Sequence, residues 1–389
     1  MTILIFSLIA FLLYLVYERI ALDRLRRQVP LVITVTGTRG KSTVVRLLAS
    51  VLRASGRKVL AKTTGSQAQY VLPDGTIHDV PRRGMVSILE QKSTLRKAAT
   101  LGVDCLVVEV MSVHPPNHIV ESQKILKPDA VLLTNVRRDH TDAMGETEEE
   151  IARVLGFDLS PGANIFLPRE YEASMRLAAP SESEVHFHTS APGAASSLSV
   201  KRERFGQAVL SSNYDLVATA ARKMGIPDEV IARGINQTVY DIGEFRIWTY
   251  SVGGKEILAV NAFAANDPVS TRQLLDSTRS ALSGVAASFV GLLNLRSDRA
   301  DRTIQWLDSL QNEAVPQFER LFVVGGHARA LARKIKNASV LKSDDPQNIM
   351  LSVGSQVKDQ TVVFGFGNIG EIGARLVEHW NQHGEPHGT

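Results

Sequence analysis

The sequence predicts an α/β protein whose sheets are mostly parallel, built as a larger central domain followed by a smaller one behind an apolar amino-terminal segment. Three observations carry this. Short apolar runs bounded by turn residues alternate with stretches of helical spacing from Leu31 almost to the end. These runs are nearly continuous in Val, Ile and Leu, as in strands covered on both faces. The chain has 389 residues, enough for two or three domains at about 150 residues each. The expected division is 1–28, 29–246 and 247–389, with the last boundary in Asp241-Ile242-Gly243-Glu244-Phe245-Arg246.

From Thr2 to Tyr17 no side chain is charged, and Arg19, Arg24, Arg26 and Arg27 follow. The run is near the lower limit of the roughly 17–25 residues a membrane-spanning helix needs. No basic start and no small-residue cleavage site mark it as a signal peptide. The expectation is a single-pass anchor in the cytoplasmic membrane, with the arginines holding the remaining domains on the cytoplasmic side.

Leu31-Val32-Ile33 opens a strand that runs into Thr34-Val35-Thr36-Gly37-Thr38-Arg39-Gly40-Lys41-Ser42-Thr43, and a helical pattern follows from Val44. Strand, glycine loop, Lys-Ser and helix form a phosphate cradle: loop N–H groups turn inward, the helix amino terminus favours an anion, the lysine adds a point charge and the serine hydroxyl can ligate Mg²⁺. The full P-loop pattern has a further glycine where this chain has Val35. An ordinary strand-to-helix turn is the alternative.

Further strands are expected at Lys58–Thr63, Cys105–Val110, Ala130–Thr134 and Ala163–Leu167, with helices at Ser87–Thr100 and Thr147–Leu155 and a turn at Pro73-Asp74-Gly75. Parallel sheets bind ligands beyond the carboxyl ends of their strands. Here those ends carry Gly37–Ser42, Thr63–Ser66, Glu109 and Asn135–His140. Thr189 to Ser197 reads as a loop, and Asn213 to Met224 as a helix stopped by Gly225-Ile226-Pro227. A second alternating set has strands at Ile257–Val260, Ala287–Leu292, Leu321–Val324 and Thr361–Phe364.

Hydrophobic residues make up 44% and charged residues 22%, with a formal net charge of +4. That surplus suits an acidic substrate or a membrane surface and is too small to indicate nucleic acid. The single cysteine, Cys105, lies in an apolar strand, so no internal disulfide and no thioester carrier is expected. Glu109 and His140, on neighbouring strand tips beside the phosphate loop, are candidate Mg²⁺ ligands, against a surface salt bridge or a solvated histidine. Gly365-Phe366-Gly367-Asn368-Ile369-Gly370 is expected to be a tight turn, because the chain ends before a dinucleotide fingerprint could be completed. His114 and His118 are read as loop residues, because Pro115-Pro116 between them interrupts a helix. His186 and His188 share a strand face without the further ligands of a metal site.

Taken in order, Thr36–Thr43, Thr64-Gly65-Ser66, Glu109-Val110-Met111-Ser112, Thr134-Asn135-Val136 with Asp139-His140, and Asn213 before Gly225-Ile226-Pro227 resemble the Mur ligase superfamily, which includes folylpolyglutamate synthases. The resemblance runs from about Leu31 to Arg246 and weakens beyond. An anchor leading directly into the P-loop strand with no UDP-binding domain before it, Arg82-Arg83-Gly84, and Asn294-Leu295-Arg296-Ser297-Asp298-Arg299 resemble, within that superfamily, the ligase subunits of poly-γ-glutamate synthases (PgsB/CapB type).

This resemblance implies an ATP-dependent amide ligase that activates a glutamate carboxylate as an acyl phosphate and couples it to the amine of the next glutamate. It implies that Thr38, Arg39, Gly40, Lys41, Ser42 and Thr43 cradle ATP, that Ser42, Glu109 and His140 hold Mg²⁺, and that Asn213 contacts the nucleotide. Arg246 would meet nucleotide or phosphate on closure, and Asp267, or else Asn261, would stand for a third-domain aspartate. Arg82, Arg83, Arg137, Arg138, Arg296 and Arg299 suit a growing polyanion, since the guanidinium fork takes carboxylates two oxygens at a time. The family's modified lysine has no counterpart, because Thr141 to Pro168 contains no lysine. Implied partners are a small multi-spanning membrane subunit (PgsC/CapC type) and an exported accessory subunit (PgsA/CapA type), with a homo-oligomer left open. The alternatives are another Mur-like or folylpolyglutamate-type ligase, and a membrane-tethered P-loop ATPase or scaffold for polymer export.

Overall fold

A computed structural model describes residues 2–64, 68–82, 84–138, 140–176, 180, 182–189, 207–239, 241–265, 267–286, 288–312 and 318–387. Arg83, Asp139, the Gly65-Ser66 pair and most of the Ser/Ala-rich stretch, 190–197, lie outside them. The chain forms two compact units, one of Met1–Val200 with Ser211–Val239 and the other of Lys201–Leu210 with Tyr240–Thr389.

The amino-terminal unit begins with α1 (Thr2–Arg27), then β1 (Leu31–Thr36), α2 (Lys41–Ala54), β2 (Val59–Thr63), β3 (Gln69–Val71), β4 (Ile77–Asp79), α3 (Glu90–Leu101) and β5 (Cys105–Glu109). It continues with α4 (Pro115–His118), a π-helix at Ile119–Leu126, β6 (Ala130–Leu133), α5 (Thr141–Met144), α6 (Glu148–Gly156), β7 (Asn164–Pro168), α7 (Glu172–Arg176), β8 (Glu184–His188), α8 (Gln207–Lys223) and α9 (Asp228–Asn236). The strands lie in the order β4-β3-β2-β5-β1-β6-β7-β8. From β2 to β8 every pairing is parallel, as the unbroken apolar runs require.

The sheet is mostly parallel as expected, and its antiparallel strands gather at one edge. β2, β3 and β4 are antiparallel, and the Pro73-Asp74-Gly75 turn joins β3 to β4. α3 starts at Glu90, three residues later than expected, and ends at Gly102, whose φ of 57° is the left-handed stop that glycine permits. α6 carries a capping box: the Thr147 side chain accepts from Glu150 N–H, and the Glu150 carboxylate accepts from Thr147 N–H.

α1 is the one helix among the described residues long and apolar enough to cross a membrane, with mean hydropathy 2.1 over its best window. Its carboxyl-terminal turns join the amino-terminal unit through charge. Arg26 meets Asp129 at 2.6 Å, Asp23 meets Lys127 at 2.7 Å, and Glu18 meets Lys92 at 2.6 Å.

The carboxyl-terminal unit contains β9 (Arg246–Val252), β10 (Lys255–Asn261), α10 (Pro268–Ala281), β11 (Ser288–Leu295), α11 (Ala300–Gln311), β12 (Arg320–Gly325), α12 (Ala328–Ala332), β13 (Ala338–Val340), α13 (Pro346–Gly354), β14 (Thr361–Phe366), α14 (Ile372–His383) and β15 (Glu385–Pro386). Its strand order is β13-β12-β11-β14-β10-β9-β15, parallel from β13 to β10 and antiparallel at β9 and β15. Alternate residues of β10 serve two apolar layers: Leu258 and Val260 pack with Trp306 and Phe364, whereas Ile257 and Ala259 pack with Trp248 and Trp380.

Candidate functional site

The phosphate loop leaves β1 at a buried Thr36 and enters α2 at Lys41. Gly37 and Gly40 adopt φ of 119° and 80°, the left-handed region that favours glycine. A Cβ on Gly37 would collide with the Thr134 hydroxyl and the Asn135 backbone, and one on Gly40 would sit 3.0 Å from Asn213 Nδ2. The loop is therefore pressed between the strand tip after β6 and α8, and no side chain caps the start of α2.

Asn135 braces the loop from the neighbouring strand tip. Its Oδ1 accepts from Thr38 Oγ1 at 2.7 Å and from Arg39 N–H at 3.1 Å, and its Nδ2 donates to the Arg39 carbonyl at 2.9 Å. Arg137 N–H donates to Thr38 Oγ1 at 3.0 Å. Lys41 Nζ lies back over the loop on the Gly37 carbonyl at 2.7 Å. Thr43 falls in the first turn of α2, and Asn213 is buried in α8 against Gly40.

β5 pairs with β1 in register Val35↔Glu109, which brings Glu109 beside the loop. Only 4% exposed, its Oε2 accepts from Ser42 Oγ at 2.7 Å and from Thr64 N–H at 2.8 Å. His140, exposed and at a left-handed φ of 48°, lines the same cavity. That cavity, about 200 Å³, is walled by Lys41, Thr64, Glu109, Ser112, His118 and His140 among others. Among the described residues no three His, Cys, Asp or Glu side chains form a metal cluster. A cation here would need ligand oxygens from a bound phosphate or water as well, which is how Mg²⁺ is usually held.

Below the cavity lie groups that the sequence reading missed. Glu121 is fully buried and accepts from Ser112 N–H at 2.9 Å and Gln91 Nε2 at 2.6 Å; burial raises its pKa against these bonds. Lys62, also fully buried, meets Glu90 at 3.1 Å, and burial lowers its pKa despite that partner. Asp158 accepts from Thr36 Oγ1, from Ser122 Oγ at 2.7 Å and from His118 Nδ1 at 2.9 Å.

The reading of His118 as a loop residue is corrected: it is 1% exposed and ends α4. Pro115 and Pro116 occupy the first turn of α4, where a missing N–H costs nothing, so they start the helix. His186 stacks on Phe166, and His188 is buried with its pKa pushed down to about 4 by burial. Cys105 is buried in β5, and burial raises its pKa.

The remaining candidates are spread more widely. Arg82 forks onto Glu90 at 2.9 Å, and Arg138 is exposed. In the carboxyl-terminal unit, Arg246 opens β9 with Nε on Glu244 at 2.7 Å. Asn261 Nδ2 donates to the Glu244 carbonyl at 2.7 Å. Asp267 caps α10, accepting from Ser270 N–H at 2.8 Å, with Pro268 following it. Arg296 forks onto Asp298 at 2.8 and 2.7 Å, and Arg299 precedes α11. The Gly365–Gly370 segment completes β14 and then turns, with Asn368 Oδ1 accepting from Gly370 N–H at 2.7 Å. Asn294 Nδ2 ties that turn to the end of β11 by donating to the Asn368 carbonyl at 2.7 Å.

The sequence profile of the Mur ligase middle domain matches residues 35–213, and that of the poly-gamma-glutamate synthase CapB C-terminal domain matches 247–383. The capsule biosynthesis protein CapB of Bacillus anthracis is 26% identical over 382 residues, covering 94% of this chain and 80% of that protein. The PGA synthase CapB of Bacillus subtilis (strain 168) is 26% identical over 362 residues, covering 90% of each. Among solved structures, a bifunctional folylpolyglutamate synthase/dihydrofolate synthase from Yersinia pestis, complexed with AMPPNP and a Mn ion, superposes with a TM-score of 0.70. It is 15% identical, and the match covers 94% of this chain and 92% of that one. That likeness concerns the fold.

Proposed function

Because this chain is a CapB-type member of the Mur ligase superfamily, we propose that it is an ATP-dependent amide ligase that extends poly-γ-glutamate. The observation that carries the reading onto particular atoms is the Ser42–Glu109 contact of 2.7 Å beside Lys41, at the carboxyl ends of adjacent parallel strands. A hydroxyl and a buried carboxylate held together next to a phosphate cradle fit a divalent cation shared with phosphate oxygens.

Ser42 and Glu109 would hold Mg²⁺, with His140 available from the opposite tip. When bound, the ion neutralises charge on the phosphate oxygens. Lys41 can leave the Gly37 carbonyl to follow the outer phosphates, where it offsets charge that builds up during phosphoryl transfer. Thr38, Arg39, Gly40 and Thr43 shape the cradle, and Asn213, packed on Gly40, fixes the side of it that meets the nucleotide.

The chemistry is two displacements. A γ-carboxylate oxygen attacks the terminal phosphorus of ATP and ADP leaves. The amine of the next glutamate then attacks the acyl carbon, loses a proton, and phosphate leaves. Both steps need water excluded, and a cavity of about 200 Å³ walled by buried groups such as Glu109 suits them. Arg82, Arg83, Arg137, Arg138, Arg296 and Arg299 are proposed to guide the polyanion. Arg82 and Arg296 each already grip a carboxylate of this chain in the fork geometry that such a role uses.

We further place α1 as a single membrane span with the two units in the cytoplasm, working with a multi-spanning subunit and an exported accessory subunit that carry the polymer outward. The test is glutamate-dependent ADP release by the membrane complex, with hydroxylamine trapping the acyl phosphate. ATP hydrolysis that yields no glutamyl hydroxamate and no polymer would identify a transport ATPase or scaffold instead.

A further inference from the structure

His118 is a histidine with one nitrogen fully engaged and the other facing no protein partner. Its Nδ1 donates to Asp158 Oδ2 at 2.9 Å, and the same carboxylate accepts from Ser122 Oγ and Thr36 Oγ1. Three donors on one carboxylate fix the ring's orientation and require a proton on Nδ1. Nε2 is buried without a hydrogen-bond partner, and the side chain forms part of the wall of the phosphate-loop cavity. A buried polar atom without a partner is costly to keep, and this one stands in the wall of a cavity, where a ligand could supply the partner.

The surroundings decide which kind of ligand. Asp158 from the segment after α6 and Glu121 from the π-helix are the acidic groups acting on the ring, and Lys41 from α2 is the basic one. Burial alone would lower the pKa of His118, but the Asp158 charge and hydrogen bond, with Glu121 adding to them, outweigh it and raise the pKa above the ordinary histidine value. That favours the imidazolium, in which Nε2 is a donor toward the cavity that Lys41 also lines. A donor there lacks an acceptor, and the cavity it borders is the one that Gly37, Thr38, Lys41 and Glu109 also line.

We propose that His118, held by Asp158, is a further binding residue of the site, with Nε2–H donating to an anionic oxygen of the reacting pair: the terminal phosphate of ATP or the carboxylate it activates. This rests on the ligase reading above. Because Asp158 also accepts from Thr36, the residue directly before Gly37, the same carboxylate would align the donor and the start of the phosphate loop.

The test uses the full chain in membranes or detergent and compares His118→Asn with His118→Gln. Asparagine keeps an amide near the Nδ1 position to meet Asp158 and deletes the Nε2 donor; glutamine extends an amide to the Nε2 position. Binding of ADP and of AMPPNP is measured by calorimetry with Mg²⁺, and KM for glutamate is measured by hydroxamate formation. If the phosphate is the partner, His118→Asn keeps ADP affinity within about twofold and loses about tenfold for AMPPNP, as expected for one charge-assisted bond. If the carboxylate is the partner, both nucleotides bind as before and KM for glutamate rises about tenfold. His118→Gln recovers part of either loss. Unchanged binding and KM, or equal weakening toward ADP and AMPPNP with no rescue by glutamine, overturns the assignment. Failure of the unaltered protein to bind any adenine nucleotide would overturn the ligase reading itself.

Discussion

The two units arrange their charged groups in opposite ways. Around the phosphate loop, Glu109, Glu121, Asp158 and Lys62 are buried, and each is hydrogen-bonded to groups from other elements. In the carboxyl-terminal unit, Arg246 pairs with Glu244 and Arg296 with Asp298, two residues away in each case, and Arg299 is exposed. Burial makes the first arrangement rigid and costly to disturb. A local pair at the surface, such as Arg296–Asp298, contributes little to stability and can exchange its partner for another carboxylate. On the proposed reading, the contrast would separate a centre set up for bond making from a surface that follows a flexible polymer.

The largest effect expected is at the rigid centre. Lys41→Ala should cut ADP release by on the order of a thousandfold while the protein stays folded. Wild-type turnover in that variant, measured by coupled phosphate release, would remove the phosphate role. Glu109→Gln should follow with a loss of about a hundredfold, and raising Mg²⁺ should recover part of it because a carboxamide remains a weak oxygen ligand. A titration of activity against Mg²⁺ checks this; an unshifted midpoint would detach Glu109 from the metal.

What the chain reveals before folding follows the same contrast. Strand–loop–helix punctuation is local, so Gly37 to Ser42 and the strand ending at Glu109 can be read directly. The β3–β4 hairpin cannot: each strand has three residues, and Gln69, His78 and Asp79 break any apolar alternation. The buried polar groups beneath the site are harder still. Asp158 and His118 lie 40 positions apart, and no periodicity joins them. Pro115-Pro116 misled because proline breaks a helix interior but suits its first turn, and only the surrounding fold says which applies. Asp267 is read from the sequence only as a stand-in for the third-domain aspartate, and the cap it makes on α10 goes unseen there, although an aspartate before proline at a helix start is an amino-terminal signal.

A smaller effect is expected where the pairing is local. Arg296→Ala should raise KM for glutamate or its polymer about fivefold and leave kcat nearly unchanged, because a group that binds ground state and transition state alike affects mainly KM. Arg296→Lys should recover only part, since the ammonium cannot make the two parallel bonds now made to Asp298. Product-length analysis adds a second measure: shorter chains at equal ADP release would mark a residue that tracks polymer. A collapse of kcat would instead place Arg296 with the rigid centre and erase the contrast.

The smallest effect belongs to Asp267, where a structural role and a nucleotide role can be separated. Its side chain accepts from Ser270 N–H at 2.8 Å and starts α10. Loss of such a cap costs about 1 kcal/mol. Asp267→Ala should therefore lower the denaturation midpoint slightly, and Asp267→Ser should restore it, because a serine hydroxyl can accept the same bond. ADP affinity measured on the serine variant then decides the matter. If affinity is kept, Asp267 serves the helix alone and the third-domain nucleotide contact lies elsewhere. If affinity falls while stability is intact, the carboxylate itself meets the nucleotide, and one buried-type function would sit within the otherwise adaptable unit.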